Sequence, residues 1–156
     1  MPQTTILDRM AVGYPGQLVD CGFRDVISRK AETAMSEGQP ALRGTDPDSQ
    51  VTAVTDGASV TGATFMGFVT REHTRPFSAT DEYPAGYAVG VLTEGRMFVR
   101  LTGNATAGQN VYIGNATAQL GDIQGTTGTG LTLATNCRFL ESGTSGDVVT
   151  IQIDRS

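Results

Sequence analysis

GRMFVRLTGNATAGQNVYIGNATAQLGD, Gly95 to Asp122, carries the pattern on which the fold turns. In GRMFVRL, Met97, Val99 and Leu101 alternate with Arg96, Phe98 and Arg100. Successive side chains of a strand point to opposite faces, so one face is apolar and the other carries two arginines around a phenylalanine. The word GNATA then occurs twice, at Gly103 to Ala107 and at Gly114 to Ala118. Between the copies lies QNVYI, a short strand with Val111 and Ile113 on one side and Tyr112 on the other. Gly and Asn tolerate the positive φ of tight turns, and Ala-Thr can re-enter a sheet, so the repeat is expected as turn chemistry used twice. Two copies are too few for a solenoid.

The same alternation recurs in DVVTIQID, with Val149, Ile151 and Ile153 on one face and Val148, Thr150 and Gln152 on the other. NCRFLE, around Phe139, reads as a further strand. ATFMGFV, Ala63 to Val69, shows no polar alternation after Thr64 and reads as a strand buried on both faces or close to it. From Lys30 onward, Gly, Pro, Asn and Asp interrupt the chain about every ten residues, the spacing of a sandwich or barrel. GDIQGTTGTG, Gly121 to Gly130, is expected as a flexible connecting loop. It lacks the Lys-Ser/Thr that completes a phosphate-binding loop, and the LTLAT that follows looks extended.

The expectation is an all-β fold, a small jelly-roll-like β-barrel or β-sandwich over residues 30–156, preceded by an extended N-terminal arm over residues 1–29. Ile27, Ala31, Ala34 and Met35 fall at helical spacing, but Ser28, Thr33, Ser36 and Gly38 make a poor helix. GYPGQLVDCG cannot bury enough surface to offset its ordering entropy. The arm is therefore expected to pair only locally, to be mobile over roughly its first twenty residues in the isolated chain, and to need a partner.

A chain of 156 residues supports one core, and 17% charged residues with 20 glycines fits a turn-rich β protein better than a helical bundle. The net charge is −5, and the eleven basic residues, ten arginines and Lys30, are scattered. Phosphate binding needs a concentrated basic surface, which argues against nucleic acid and anionic membrane as partners. Arginine without lysine suits carboxylate pairing at protein interfaces, or simply a solvated surface. MPQTTILDRMAVGYPG has no basic start followed by an apolar block, so synthesis in the cytosol is expected, with Cys21 and Cys137 as free thiols. On that expectation the Asn104 and Asn115 sequons stay unmodified.

Catalytic chemistry finds little support. His73, the single histidine, lies in TREHTRPF, and no G-x-S-x-G supplies a nucleophile. One His and two distant Cys do not close a zinc site. Asp46-Pro47-Asp48 begins like a calcium loop, but the turn glycine and terminal Glu are missing at their offsets, and a turn is the simpler reading. No catalytic, cofactor or metal residue is assigned. Tyr83 and Tyr87, around a Pro-Gly turn, have the composition of a protein interface or of two half-buried rings at a sheet edge.

YPGQLVDCGFRDVISR, LRGTDPDSQV with GFVTREHT, YPAGYAVGVLTEGRMFVRL, AGQNVYI and the closing strand, in that order, resemble the tailed-phage structural cement (capsid decoration) protein family. The resemblance implies a non-enzymatic β-barrel or β-sandwich protein without cofactor. Made in the host cytoplasm, it would be added to the outer surface of the assembled virion head, bridging subunits of the major capsid protein. It would act as a homo-oligomer, a homotrimer in preference to a homodimer. Contacts to the capsid or a neighbouring copy are expected from Tyr14 and Pro15 in the arm, from Arg71, Glu72, His73 and Arg75 by charge pairing, and from Tyr83 and Tyr87. The rival reading is a carbohydrate- or ligand-binding β module using exposed Tyr83, Tyr87 and the acidic RGTDPDSQ turn.

Overall fold

The structure, a computed structural model, describes residues 13–19, 22–72 and 82–154. Its organising element is β7 (Ala88–Arg100), the continuation of the GRMFVRL strand back through AVGVLTE. The first half of β7 pairs with β1 (Asp25–Ala31) and β5 (Phe65–Val69), and its second half with β11 (Val148–Ile153). A bulge separates the halves: Val26 pairs with Leu92 but Asp25 with Glu94, which leaves one extra residue on β7. An extra residue turns every later side chain to the other face. Val89 and Val91 accordingly enter one core, while Met97, Val99 and Leu101 enter another.

The first half of β7 closes a ring. β1 runs parallel to β4 (Gln50–Ala53), β4 pairs with β3 (Pro40–Arg43), β3 with β5, β5 with β7, and β7 with β1. Closure removes the exposed sheet edges that invite mispairing. Ala31, Ala41, Val51, Met66, Val69 and Val91 fill the interior. The outer wall of the ring is apolar too: Leu42, Phe68 and Leu92 pack on a second layer made by the rest of β7, β11, β10 (Leu131–Phe139), β8 (Asn110–Gly114) and β9 (Ile123–Gln124). The molecule is thus a barrel whose wall forms half of a sandwich. Each fully buried Val, Leu, Ile or Phe contributes about 1.5–3 kcal/mol, and both layers are lined with them. The far edge is tied back, with Thr102 N–H donating to the Ile123 carbonyl and Ile123 N–H donating to Thr102 Oγ1 at 2.9 Å.

This double burial explains ATFMGFV. On β5, Phe65 and Phe68 face the sandwich core and Met66 and Val69 the ring interior, so no polar residue interrupts the run.

Several elements differ from expectation. β1 crosses the anticipated boundary at residue 29 and is a full member of the ring. Part of the expected mobile arm is fastened: Leu18 bridges Met97, Gly16 N–H donates to the Phe98 carbonyl at 2.8 Å, and Phe98 N–H donates to the Gln17 carbonyl at 2.9 Å. These are main-chain bonds, and side-chain periodicity carries no trace of them. Residues 1–12 lie outside the described residues. In GDIQGTTGTG the one apolar residue, Ile123, is buried and forms β9 with Gln124, so that stretch is partly strand. The two copies of GNATA diverge: Ala105 of the first bridges Gly143, whereas Thr117 to Gln119, entered from the second, form a 3-10 turn. Asn115 is held by its own side chain, Nδ2 donating to the Ala58 carbonyl at 2.8 Å.

LTLAT and NCRFLE are one strand, β10, interrupted where Leu133 pairs with Tyr112 but Arg138 with Asn110. The intervening excursion places Asn136 at φ 60° and buries Cys137 as a free thiol. Cys21 lies outside the described residues. Burial first, then the negative charge of Asp154, pushes the Cys137 thiol up to about 12. The unfolded chain therefore loses this proton first as pH rises, near the ordinary 9.0. The stability tied to the protonated thiol is complete below pH 9 and is lost progressively toward pH 12. Urea midpoints measured on either side of pH 9 should fall with rising pH, and Cys137→Ala should flatten that fall.

Candidate functional site at the capped end of the barrel

At the end where β5 leaves the ring and β7 enters it, β2 (Met35–Ser36) and β6 (Glu82–Tyr83) form a two-stranded ribbon. Met35 and Tyr83 pack with the ring interior, and Tyr83 is only 1% exposed. A buried phenol needs partners for its hydroxyl. Tyr83 OH donates to the Thr70 carbonyl at 3.1 Å and accepts the Glu72 N–H at 2.9 Å. Tyr87, 45% exposed, lies against it with ring centroids 6.1 Å apart.

The arm reaches the same place. Arg71 N–H donates to the Gly16 carbonyl at 2.7 Å, the guanidinium stands 3.3 Å from a Glu37 carboxylate oxygen, and it lies 4.6 Å from the centre of the Tyr14 ring. Both members of the ion pair are largely shielded, which makes the pairing stronger than a solvated surface bridge. The cation over the ring adds about 0.5–1 kcal/mol at such a site. Gly16 (φ 79°) and Gly38 (φ 75°) sit back to back, and a Cβ on either would come within 2.9 Å of the other's nitrogen. That contact is the reason YPG ends in glycine.

Of the residues expected to make contacts, Tyr14, Pro15, Arg71, Glu72, Tyr83 and Tyr87 are thus brought to one end of the barrel. His73 and Arg75 lie outside the described residues. Tyr83 needs correction as an exposed contact: it is a buried anchor, because its hydroxyl fastens the chain on both sides of Arg71. Glu37 and Gly38 were not singled out, since a turn residue between two short strands leaves no periodic trace. The rival sugar platform loses its pair of exposed tyrosines. Its acidic turn is engaged with itself, Ser49 Oγ donating to Asp46 Oδ2 at 2.6 Å and Asp48 N–H to Asp46 Oδ1 at 3.3 Å.

Residues 2–154 match the family model described as "Structural cement protein (E217 gp24/Pam3 gp6)". The chain belongs to the phage structural cement protein family. It is therefore a structural protein of the phage capsid, associated with capsid proteins in the virion. Among solved structures, a chain of "The capsid of Myoviridae Phage XM1" shares the fold of this cement protein, with a TM-score of 0.75 and 16% identity over 96% of this chain and 94% of that one. "The crystal structure of head fiber gp8.5 N base in bacteriophage phi29" matches more distantly, with a TM-score of 0.49 and 14% identity over 86% of this chain and 97% of that one. No curated protein matches the sequence.

Proposed function

We propose that the protein binds the outer surface of the assembled head as a homotrimer, each copy bridging neighbouring major capsid subunits so that the shell resists heat and internal pressure. The observation that supports this reading is the clasp at the capped end. Residues 14–16, 37–38 and 70–72 come from separate parts of the chain and are bonded to one another there. A rigid base loses little entropy on docking, which favours affinity without extra contact area. Tyr14, 63% exposed, and Tyr87 supply aromatic contact area, while Glu72, His73 and Arg75 supply charge pairing that selects the partner.

The test is co-sedimentation with capsids stripped of the protein. The full chain should bind in fixed stoichiometry, and a chain lacking residues up to Gly16 should bind at least tenfold more weakly, since it loses Tyr14, Pro15 and the Gly16 bonds. Equal binding by the truncated chain would remove the arm from the interface. Sedimentation equilibrium of the free protein should return three times the 16.3 kDa chain mass, and the monomer mass would rule out the trimer.

A further inference from the structure

Among the described residues, the opposite end of the ring holds a cavity. β1 begins, β3 ends and β5 begins there, and Arg29, Arg43 and Glu94 line this cavity of about 310 Å³ with Asn136 and Asp154 of the second layer as its far wall. Two polar atoms of these lining residues are buried without a hydrogen-bond partner, Arg29 Nε and Glu94 Oε2. A buried polar group left without a partner costs about 1–3 kcal/mol, and one donor with one acceptor at the same cavity calls for an explanation.

Two further cavities share its lining residues. The second, of about 290 Å³, shares Glu94 and Asp154 and reaches Phe23, 76% exposed. The third, of about 310 Å³, shares Asn136 and Asp154 and reaches Leu133, 43% exposed. The three adjoin as a groove through these shared lining residues, with an unmet donor and acceptor at the first and an exposed apolar side chain at each of the other two.

The composition selects the occupant. A small anion would satisfy Arg29 but leave the Glu94 oxygen unpaired and meet the charge of Asp25 and Asp154. A nucleic acid backbone would meet the same carboxylates. An extended peptide offers an N–H and a C=O on every residue, the acceptor for Arg29 and the donor for Glu94, and its alternating side chains reach flanking apolar groups.

We propose that this groove takes an extended segment of a major capsid subunit, its main chain bonded by Arg29 and Glu94 and its apolar side chains against Phe23 and Leu133. The proposal rests on the cement reading and deepens it. With the clasp at one end of the barrel and the groove at the other, one copy holds two capsid subunits.

The test uses the full chain and stripped capsids. Arg29→Met and Glu94→Met should each weaken capsid binding at least tenfold, while the unfolding midpoint of the free protein stays level or rises, because an unpaired buried polar group has been removed. Should Arg29→Met fail to fold, Phe23→Asp and Leu133→Asp, at exposed positions, carry the same expectation. Leu133→p-benzoylphenylalanine, irradiated on decorated capsids, should crosslink to the major capsid protein. Full affinity in the folded variants, or crosslinking only to a second copy of this chain, overturns the groove while leaving the cement reading intact. A wild-type chain that does not bind stripped capsids removes both.

Discussion

Gly67→Ala is expected to destabilise the protein by on the order of 4 kcal/mol, among the largest effects a single methyl group produces. Gly67 stands at φ 150°, and a Cβ there would lie 2.0 Å from the Leu92 carbonyl oxygen and 2.9 Å from its carbon. Both are main chain of β7, and neither β5 nor β7 can retreat, because β5 has a core on each side. For a chain of this size the loss corresponds to a fall in melting temperature of more than about 8 °C. Gly57→Ala is the matched control: its φ is 69° but the space around it is open, so it should cost only about 1 kcal/mol. Equal melting temperatures for the two variants would mean that β5 is not held between two cores.

Tyr83→Ala should cost about 3–5 kcal/mol, the loss for emptying a fully buried aromatic site. Tyr83→Phe keeps the ring and removes only the hydroxyl, leaving Thr70 C=O and Glu72 N–H without their partner. Its stability cost should be about 1–2 kcal/mol. Its effect on capsid binding should be proportionally larger, because the chain it releases carries Arg71 and Glu72 of the proposed interface. Thermal melts and capsid co-sedimentation on the same two variants separate these effects. A Phe variant that matches wild type in both would reduce Tyr83 to a space-filling ring.

The elements legible in the sequence were those with one wet face. GRMFVRL and DVVTIQID alternate because one side of each meets solvent or a half-buried layer, and their registers across β7 and β11 follow from that. ATFMGFV could be read as doubly buried from the absence of alternation, though not with which two cores. What stayed hidden depended on main-chain pairing or on side chains acting singly. The bulge on β7 follows from one uncounted residue opposite β1, and it decides that a single strand serves both layers. The arm is fastened through carbonyls and amides of residues 16–19, invisible to any pattern of side chains. In the candidate site, the chemistry of Tyr14, Arg71 and Tyr87 was legible, and the structure sets Arg71 over the Tyr14 ring and Tyr87 against Tyr83. Glu37, the partner of Arg71, and the buried position of Tyr83 required the turn between β2 and β3 and the ribbon at the barrel end to be placed in space.

A clamp that binds the assembled lattice and not its free subunits stabilises it by about 2.7 kcal/mol per site at a hundredfold excess over Kd. Contacts within one oligomer raise that through effective concentration, and the many copies on a shell accumulate it. The most direct measurement is the temperature at which capsids release their DNA, compared for decorated particles, particles stripped of the protein, and stripped particles to which the full chain is returned. Decorated and restored particles should release DNA at the same temperature, several degrees above stripped ones, and stripped particles should remain intact at ambient temperature. Release at one temperature in all three samples would contradict a role as structural cement.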